Sequence, residues 1–488
     1  MKAGYIYCKP LSDLADEATP PAGRSSRVHA LIQSLGLVGN ESSCASTQCS
    51  RNTASSIVPD KAHREDLQRF HSAAFLTANL KAASGGSSIR DSDVDSSSGT
   101  DEDDSDDNGS SSSRASSSFD RPRKRQRRRS SDRYGLTADP PSPDYILGIA
   151  GSSLTAARHL CVPSVASDTG TPDLREARES GKATPYDVVF NWEGGRHHAM
   201  RDKAAGFCYV QDVGLAIDLL RRQGCVRVRE AAEEEGGTAI NRFRYLPQTR
   251  SRRPRIMYLD LDIHFGDGVA SACRHPYRYS NPATAQQLRG PKPSILTLSL
   301  HHYARGFFPA NPEGGLTPIE TPTPFNLSIP LNAGVSSPTY ARLMSTCVGP
   351  IKDAFKPDYV VLLLGMDALH GDNLVDGAGN WSLDGEGGVA WVCDMIRSWN
   401  CRTLVLGGGG YNRLNTAKGW ACATSVFLGN GFDPDGSVPE HEYWPEYGPD
   451  FSLTVAAGNI KDQNDEAHMK TIEEASEQWV ERISAIMR

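Results

Sequence analysis

Five short apolar runs, each ending in glycine and a side chain capable of chemistry, constrain this chain more than anything else in it. They are Val188–Phe190, Ile256–Leu259, Ile295–Leu300, Tyr359–Leu364 and Thr403–Leu406. None alternates with polar residues, so each reads as a strand buried on both faces, as in a parallel sheet between helix layers. Helical periodicity falls between them. Val213, Ala216, Ile217 and Leu220 share one face of Gln211–Arg222, and Leu343, Met344, Cys347, Ile351 and Phe355 one face of Pro338–Phe355. A last helix opens at Asn464, with Met469, Ile472, Ala475, Trp479, Val480 and Ile483 as its stripe. Earlier, Gly4–Tyr7 reads as a first strand, and helices are expected over Arg27–Leu35 and near Ala62–Leu80. The expected fold class is α/β, a single domain whose mostly parallel central sheet is covered by helices on both faces.

In such sheets, function sits in the loops at the carboxyl ends of the strands. After the first run come Asn191–His198 and Gly206–Tyr209. After the second comes Asp260–Gly268, and after the third His301, His302 and Gly306–Pro309. The fourth leads to Gly365–Asp367 and the fifth to Gly407–Tyr411. Five such coincidences are not chance.

The second run continues as Asp260-Leu-Asp262-Ile-His264. In an extended chain the side-chain period is two, so two carboxylates and an imidazole point the same way. This is a ligand set for a divalent metal such as zinc. Alone, it could equally be a hydrogen-bonded strand end or a calcium loop, although the bidentate Glu of an EF-hand is missing. Asp367 is the natural third ligand, leaving a position open for water or substrate. His197 and His198 can supply general base and acid, and Tyr411 can hydrogen-bond a forming oxyanion. The glycine run before Tyr411 lacks a following Walker lysine, which argues against a phosphate loop. Phe207 and Phe308 could line a narrow slot or be plain core.

Between 84 and 133 the composition changes to Ser, Asp, Glu and Gly, then to Arg121-Pro-Arg-Lys-Arg-Gln-Arg-Arg-Arg129. Such a stretch is expected to be a disordered insert, since it cannot bury enough apolar surface to offset ordering. Residues 1–83 and 134–488 then make one domain, with loop insertions near 228–253 and 277–293. Arg121–Arg129 reads as a nuclear localisation signal, so the expected location is the nucleus, with the cytoplasm as a further site. Specific DNA recognition is not expected. The 11 cysteines form no Cys-x-x-Cys pair, which fits a reducing compartment, and no run reaches membrane-spanning length.

Taken in order, Asn191–His198, Gly206–Tyr209, Tyr258–Gly268, Gly306–Pro309, Gly365–Asp372 and Gly407–Tyr411 resemble the class I zinc-dependent histone deacetylases, of the arginase/deacetylase fold. The end of the chain resembles the short members without a C-terminal tail. The resemblance implies hydrolysis of acetyl-lysine in histones and other proteins, with transcriptional repression and chromatin regulation as its setting. Substrates would be acetylated histone tails, and a corepressor complex a partner. By the same resemblance Asp262, His264 and Asp367 match the zinc ligands, with iron(II) the alternative metal. His198 backed by Asp267 matches the general base, His197 backed by Asp260 the electrostatic or acid histidine, and Tyr411 the carbonyl-polarising residue. Gly206, Phe207, Phe308 and Leu374 match the acetyl-lysine tunnel and Asp139 a substrate-binding rim residue. Arg24 matches an arginine beside an internal channel. Asp260, Asp262, His264, Ser299 and Leu300 match a structural potassium site. Phe265 stands where the family usually has a second histidine. The competing readings are a deacylase of non-histone or small amide substrates and a non-catalytic scaffold.

Overall fold

A computed structural model describes residues 1–39, 52–81, 140–161, 185–224, 226–229, 249–274, 293–321, 324–375 and 377–488. Asp139, the 84–133 stretch and nearly all of the 277–293 insertion lie outside the described residues. Nine strands pair in parallel into one sheet. They are β1 (Ala3–Ile6), β2 (Val38–Gly39), β3 (Ala54–Ile57), β4 (Val188–Asn191), β5 (Ile256–Asp260), β6 (Ile295–His302), β7 (Asn326–Leu331), β8 (Tyr359–Leu363) and β9 (Arg402–Leu406). Their order is β2-β3-β1-β4-β9-β8-β5-β6-β7. Because β1 pairs with both β3 and β4, segments from either side of the 84–133 stretch share one sheet.

The register explains why the five runs lack polar alternation. Val189, Leu404, Val361 and Tyr258 form a row across β4, β9, β8 and β5, and all four enter one hydrophobic core. The next row, Phe190, Val405, Leu362 and Leu259, enters the core on the other face. Each row is apolar because each face is covered by helices, and a fully buried side chain of this kind is worth about 1.5–3 kcal/mol. One row further on, the sheet turns polar. Asn191, Asp260 and Ser299 stand there beside Leu406 and Leu363. The site begins at that row.

The helices follow their caps. Pro143–Leu160 starts at Ser142, whose hydroxyl accepts from the Tyr145 amide at 3.2 Å. Glu466–Met487 starts at Asp465, one residue later than expected, and buries Met469, Ile472, Ala475, Trp479 and Ile483. The single helix expected over Pro338–Phe355 is instead two α-helices, Ser337–Leu343 and Gly349–Phe355, joined by a π-turn over Met344–Val348. Pro350 is the reason, since it has no N–H to give the carbonyl four residues back. The helix expected near Ala62–Leu80 is also divided, into Arg64–Leu67 and Ala73–Lys81. The insertion expected to be a surface loop at 228–253 has paired ends, Val226–Arg229 and Thr249–Arg252, in a two-stranded antiparallel ribbon.

The break at 68–72 seats His71 in the interior. Its Nε2 accepts the Gln211 amide at 2.9 Å, and its Nδ1 lies 3.2 Å from the Arg201 carbonyl, so the ring is held neutral. Burial lowers its pKa from the usual histidine value to about 4. The folded pKa is therefore below the unfolded one near 6.5. Stability from this group is complete above pH 6.5 and is lost as pH falls toward 4, up to roughly 3 kcal/mol. Urea unfolding at pH 7 and pH 4.5 should show a smaller pH-dependent loss in His71→Asn. An identical loss in the variant would remove His71 from the account.

Candidate active site

Two carboxyl ends meet at one point. Asp262 and His264 follow β5, and Asp367 follows β8. A ligand atom from each lies within 4.8 Å of the others, and all three residues are buried. His264 Nδ1 is 3.1 Å from Asp262 Oδ1 and 2.9 Å from Asp367 Oδ2. The remaining carboxylate oxygens are fixed from behind, Asp262 Oδ2 by the Gly409 amide at 2.6 Å and Asp367 Oδ1 by the Ile263 amide at 3.0 Å. A Cβ at position 409 would stand 2.1 Å from Asp367 Oδ2, so only glycine lets this loop approach the carboxylates.

These residues fit a divalent cation. Two buried carboxylates facing one imidazole nitrogen need positive charge between them. Burial, then Asp262, raises Asp367 to about 7. Burial would lower His264, but Asp262 and Asp367 outweigh it and raise the ring to about 10.

The two adjacent histidines follow β4 and differ in environment. His197 Nδ1 lies 3.0 Å from Asp260 Oδ2, which also accepts from the Tyr258 hydroxyl at 2.7 Å. Its Nε2 faces Asp262 Oδ1 at 3.9 Å. Burial would lower His197, but Asp260 and Asp262 raise it to about 9. His198 Nδ1 lies 3.0 Å from Asp267 Oδ1, leaving Nε2 as its free nitrogen. Burial, then His197 and His264, hold its pKa well below the ordinary value. Neighbouring groups pushed in opposite directions suit acid and base roles.

Tyr411 completes the ring around the ligands, its ring centroid 6.3 Å from that of His264. Burial and then Asp367 and Asp262 raise its hydroxyl well above the ordinary value, so it stays a donor. Phe308 lies edge-on to His198 at 4.8 Å, and Phe207 stands 6.3 Å from Tyr411. Phe207, Phe308 and Leu374 are among the few large apolar residues left exposed within the described residues, at 41%, 43% and 53%. They form an apolar rim over a buried polar floor. Gly206 has φ 53°, and a Cβ there would meet the His198 ring at 2.6 Å, so the slot is narrow.

Other expected positions are placed as follows. Arg24 is buried and donates from Nη1 to the carbonyls of Gly408 and Gly410, each at 3.1 Å, holding the glycine run from below. Asp260 and Ser299 are register partners, and the Ser299 hydroxyl is 2.9 Å from His301 Nδ1. Phe265 turns away from the ligands and packs 4.7 Å from the His301 ring. His301 and His302 are anchored to the carbonyls of Gly314 and Leu331 and take no part in the site.

Two residues went unnoticed in the sequence. Asp212 accepts from the amides of Gly195 and Arg196 at 2.9 and 2.7 Å, clamping the turn before His197. Asp372 accepts from the Tyr411 and Asn412 amides at 2.6 and 3.1 Å, setting the tyrosine. Both act on backbone, which leaves no motif. The only signals were an aspartate opening a helix and another closing the Gly365–Asp372 stretch.

His197, His198 and Tyr411 thus stand around the Asp262, His264 and Asp367 cluster, under a narrow apolar rim. Comparison with known proteins identifies the class. Residues 21–229 and 239–427 match the histone deacetylase domain, and the chain belongs to the histone deacetylase family. It is a lysine deacetylase, a hydrolase. Histone deacetylase 8 of Danio rerio is 26% identical over 472 residues, covering 96% of this chain and 92% of that protein. Histone deacetylase 8 of Xenopus laevis is 28% identical over 343 residues, covering 70% and 83%. Histone deacetylase 19 of Arabidopsis thaliana is 32% identical over 286 residues, 59% of this chain and 46% of that protein.

Proposed function

We propose that this deacetylase hydrolyses acetyl-lysine in histone tails by metal-dependent chemistry, with zinc held by Asp262, His264 and Asp367. The observation that carries the reading is the pairing of each histidine with its own carboxylate beside that three-ligand cluster. A divalent ion bound there would polarise the acetyl carbonyl and lower the pKa of a water from about 15.7 to about 7. The protein's side chains do the rest. The acetyl-lysine stem passes between Phe207 and Phe308, which exclude bulk water. His198 Nε2 takes the water's proton as the new C–O bond forms, with Asp267 orienting the ring. Tyr411 donates its hydroxyl to the oxyanion of the tetrahedral intermediate. Cationic His197 adds positive potential, and a protonated histidine gives its proton to the leaving lysine nitrogen as the C–N bond breaks. Acetate and free lysine result.

Chelation should abolish deacetylation of an acetyl-lysine peptide, and added zinc should restore it. Full activity after the metal is removed would overturn the metal reading. Asp260, Asp262, His264, Ser299 and Leu300 are proposed to hold potassium, and Asp139 to engage substrate backbone. The nucleus is the proposed location, with Arg121–Arg129 as the signal and a corepressor complex as partner. Removing Arg121–Arg129 should shift the protein toward the cytoplasm, and an unchanged distribution would discard that signal.

A further inference from the structure

At the amino-terminal ends of β5 and β6, away from the active site, a cavity of about 690 Å³ opens. Arg69, Arg221, Arg252, Arg253, Arg255 and Arg274 line it, above an apolar floor that includes Phe70 and Ile295. The charges there do not balance. Asp218 is shared by Arg69, Arg221 and Arg222, while Asp358 pairs with Arg252 and Glu313 with Arg274. Arg253 is exposed and has no carboxylate partner among the described residues. Arg255 gives its guanidinium to the Phe355 carbonyl at 3.2 Å. Five arginines, Arg222 behind the cavity among them, thus share three carboxylates, and Arg253 and Arg255 have none in an ion pair among the described residues. Burial first, and then Arg252, depress the Arg255 pKa. Guanidinium forks match carboxylate oxygens in pairs, so such a cavity suits an acidic chain.

This protein contains one of fitting charge and reach. Between Asp91 and Asp107 there are nine aspartates and glutamates. The described chain leaves toward them at Lys81, the end of the nine-residue helix Ala73–Lys81. That helix rises about 12 Å, and Ala73 is within about 14 Å of Arg69 along the chain. The ten residues from Lys81 to Asp91 can span about 33 Å, which is enough to return to the cavity.

We propose that residues 91–107 dock on this arginine-lined cavity within the same molecule. The pairing keeps the acidic stretch from covering Arg121–Arg129, leaving that basic run accessible to its reader. Phosphate on the serines among the acids adds charge and tightens the contact, and salt loosens it.

The test uses the full chain with p-benzoyl-phenylalanine in place of Ser105, irradiated at low salt and mapped by mass spectrometry. Cross-links within one molecule to peptides containing Arg69 or Arg252–Arg255 are expected. They should fall to background in Arg253→Glu/Arg255→Glu, and also when Asp101, Asp103 and Asp104 become lysine in an otherwise native chain. Combining the two sets of changes should restore them, and an unchanged deacetylation rate shows that every variant is folded. Cross-links to Arg121–Arg129, or between two copies, would overturn the proposal. It would fall equally if a cross-linker at Ala232 took the cavity instead, which would assign it to Glu233–Glu235.

Discussion

His198→Ala should lower kcat for an acetyl-lysine peptide by roughly 10²–10⁴-fold, the usual span for a positioned general base. The expectation rests on two features of the ring. Its Nδ1 is committed to Asp267 Oδ1 at 3.0 Å, which fixes Nε2 as the nitrogen that receives the proton. Its pKa is held well below the ordinary value by burial and by His197 and His264, so it is neutral and ready to accept. Asp262, His264 and Asp367 do not depend on it for their contacts with one another, so metal content should be unchanged. Stopped and steady-state assays with metal analysis would separate the two quantities. A variant that keeps its metal and turns over within a fewfold of the native chain would remove His198 from the chemistry.

Tyr411→Phe should cost roughly 2.7–4 kcal/mol of transition-state stabilisation, about 10²–10³ in kcat. The substitution deletes one hydroxyl and little else. The tyrosine backbone is held through its amide by Asp372 at 2.6 Å and through its carbonyl by Asn373 at 3.0 Å, and phenylalanine keeps both bonds. KM should move much less than kcat, because the donor meets charge that develops only in the transition state. A loss confined to KM would mean that Tyr411 serves ground-state binding.

The central sheet and the cluster of Asp262, His264 and Asp367 were both legible in the sequence, for related reasons. Buried parallel strands cannot alternate, so Val188–Phe190, Ile256–Leu259 and Tyr359–Leu364 stood out as runs. The same geometry puts chemistry at their ends. Asp262 and His264 were read from a spacing of two, and Asp367 from its place after another run. Register then carries it to the Ile263 amide. What escaped was held by packing or by backbone. β3 reads Ala-Ser-Ser-Ile, and its burial comes from β1 beside it. The Pro143–Leu160 helix is rich in small residues, and Gly151 admits the Asp60 carbonyl where a Cβ would stand 2.0 Å away. Asp212 and Asp372 receive amide protons, and no residue spacing announces that. The break in the Ala62–Leu80 helix serves the seat of His71 against Gln211, a contact 140 residues apart in sequence.

The most direct measurement is deacetylation of an acetyl-lysine peptide by the purified chain and by Asp367→Ala, with the metal content of each. Turnover and about one equivalent of divalent metal are expected in the native protein. Both should be lost in the variant, whose folding by circular dichroism stays native. An Asp367→Ala protein that still hydrolyses the peptide, or a native protein that hydrolyses it with no divalent metal bound, would contradict the assignment of Asp262, His264 and Asp367 as the centre of the reaction.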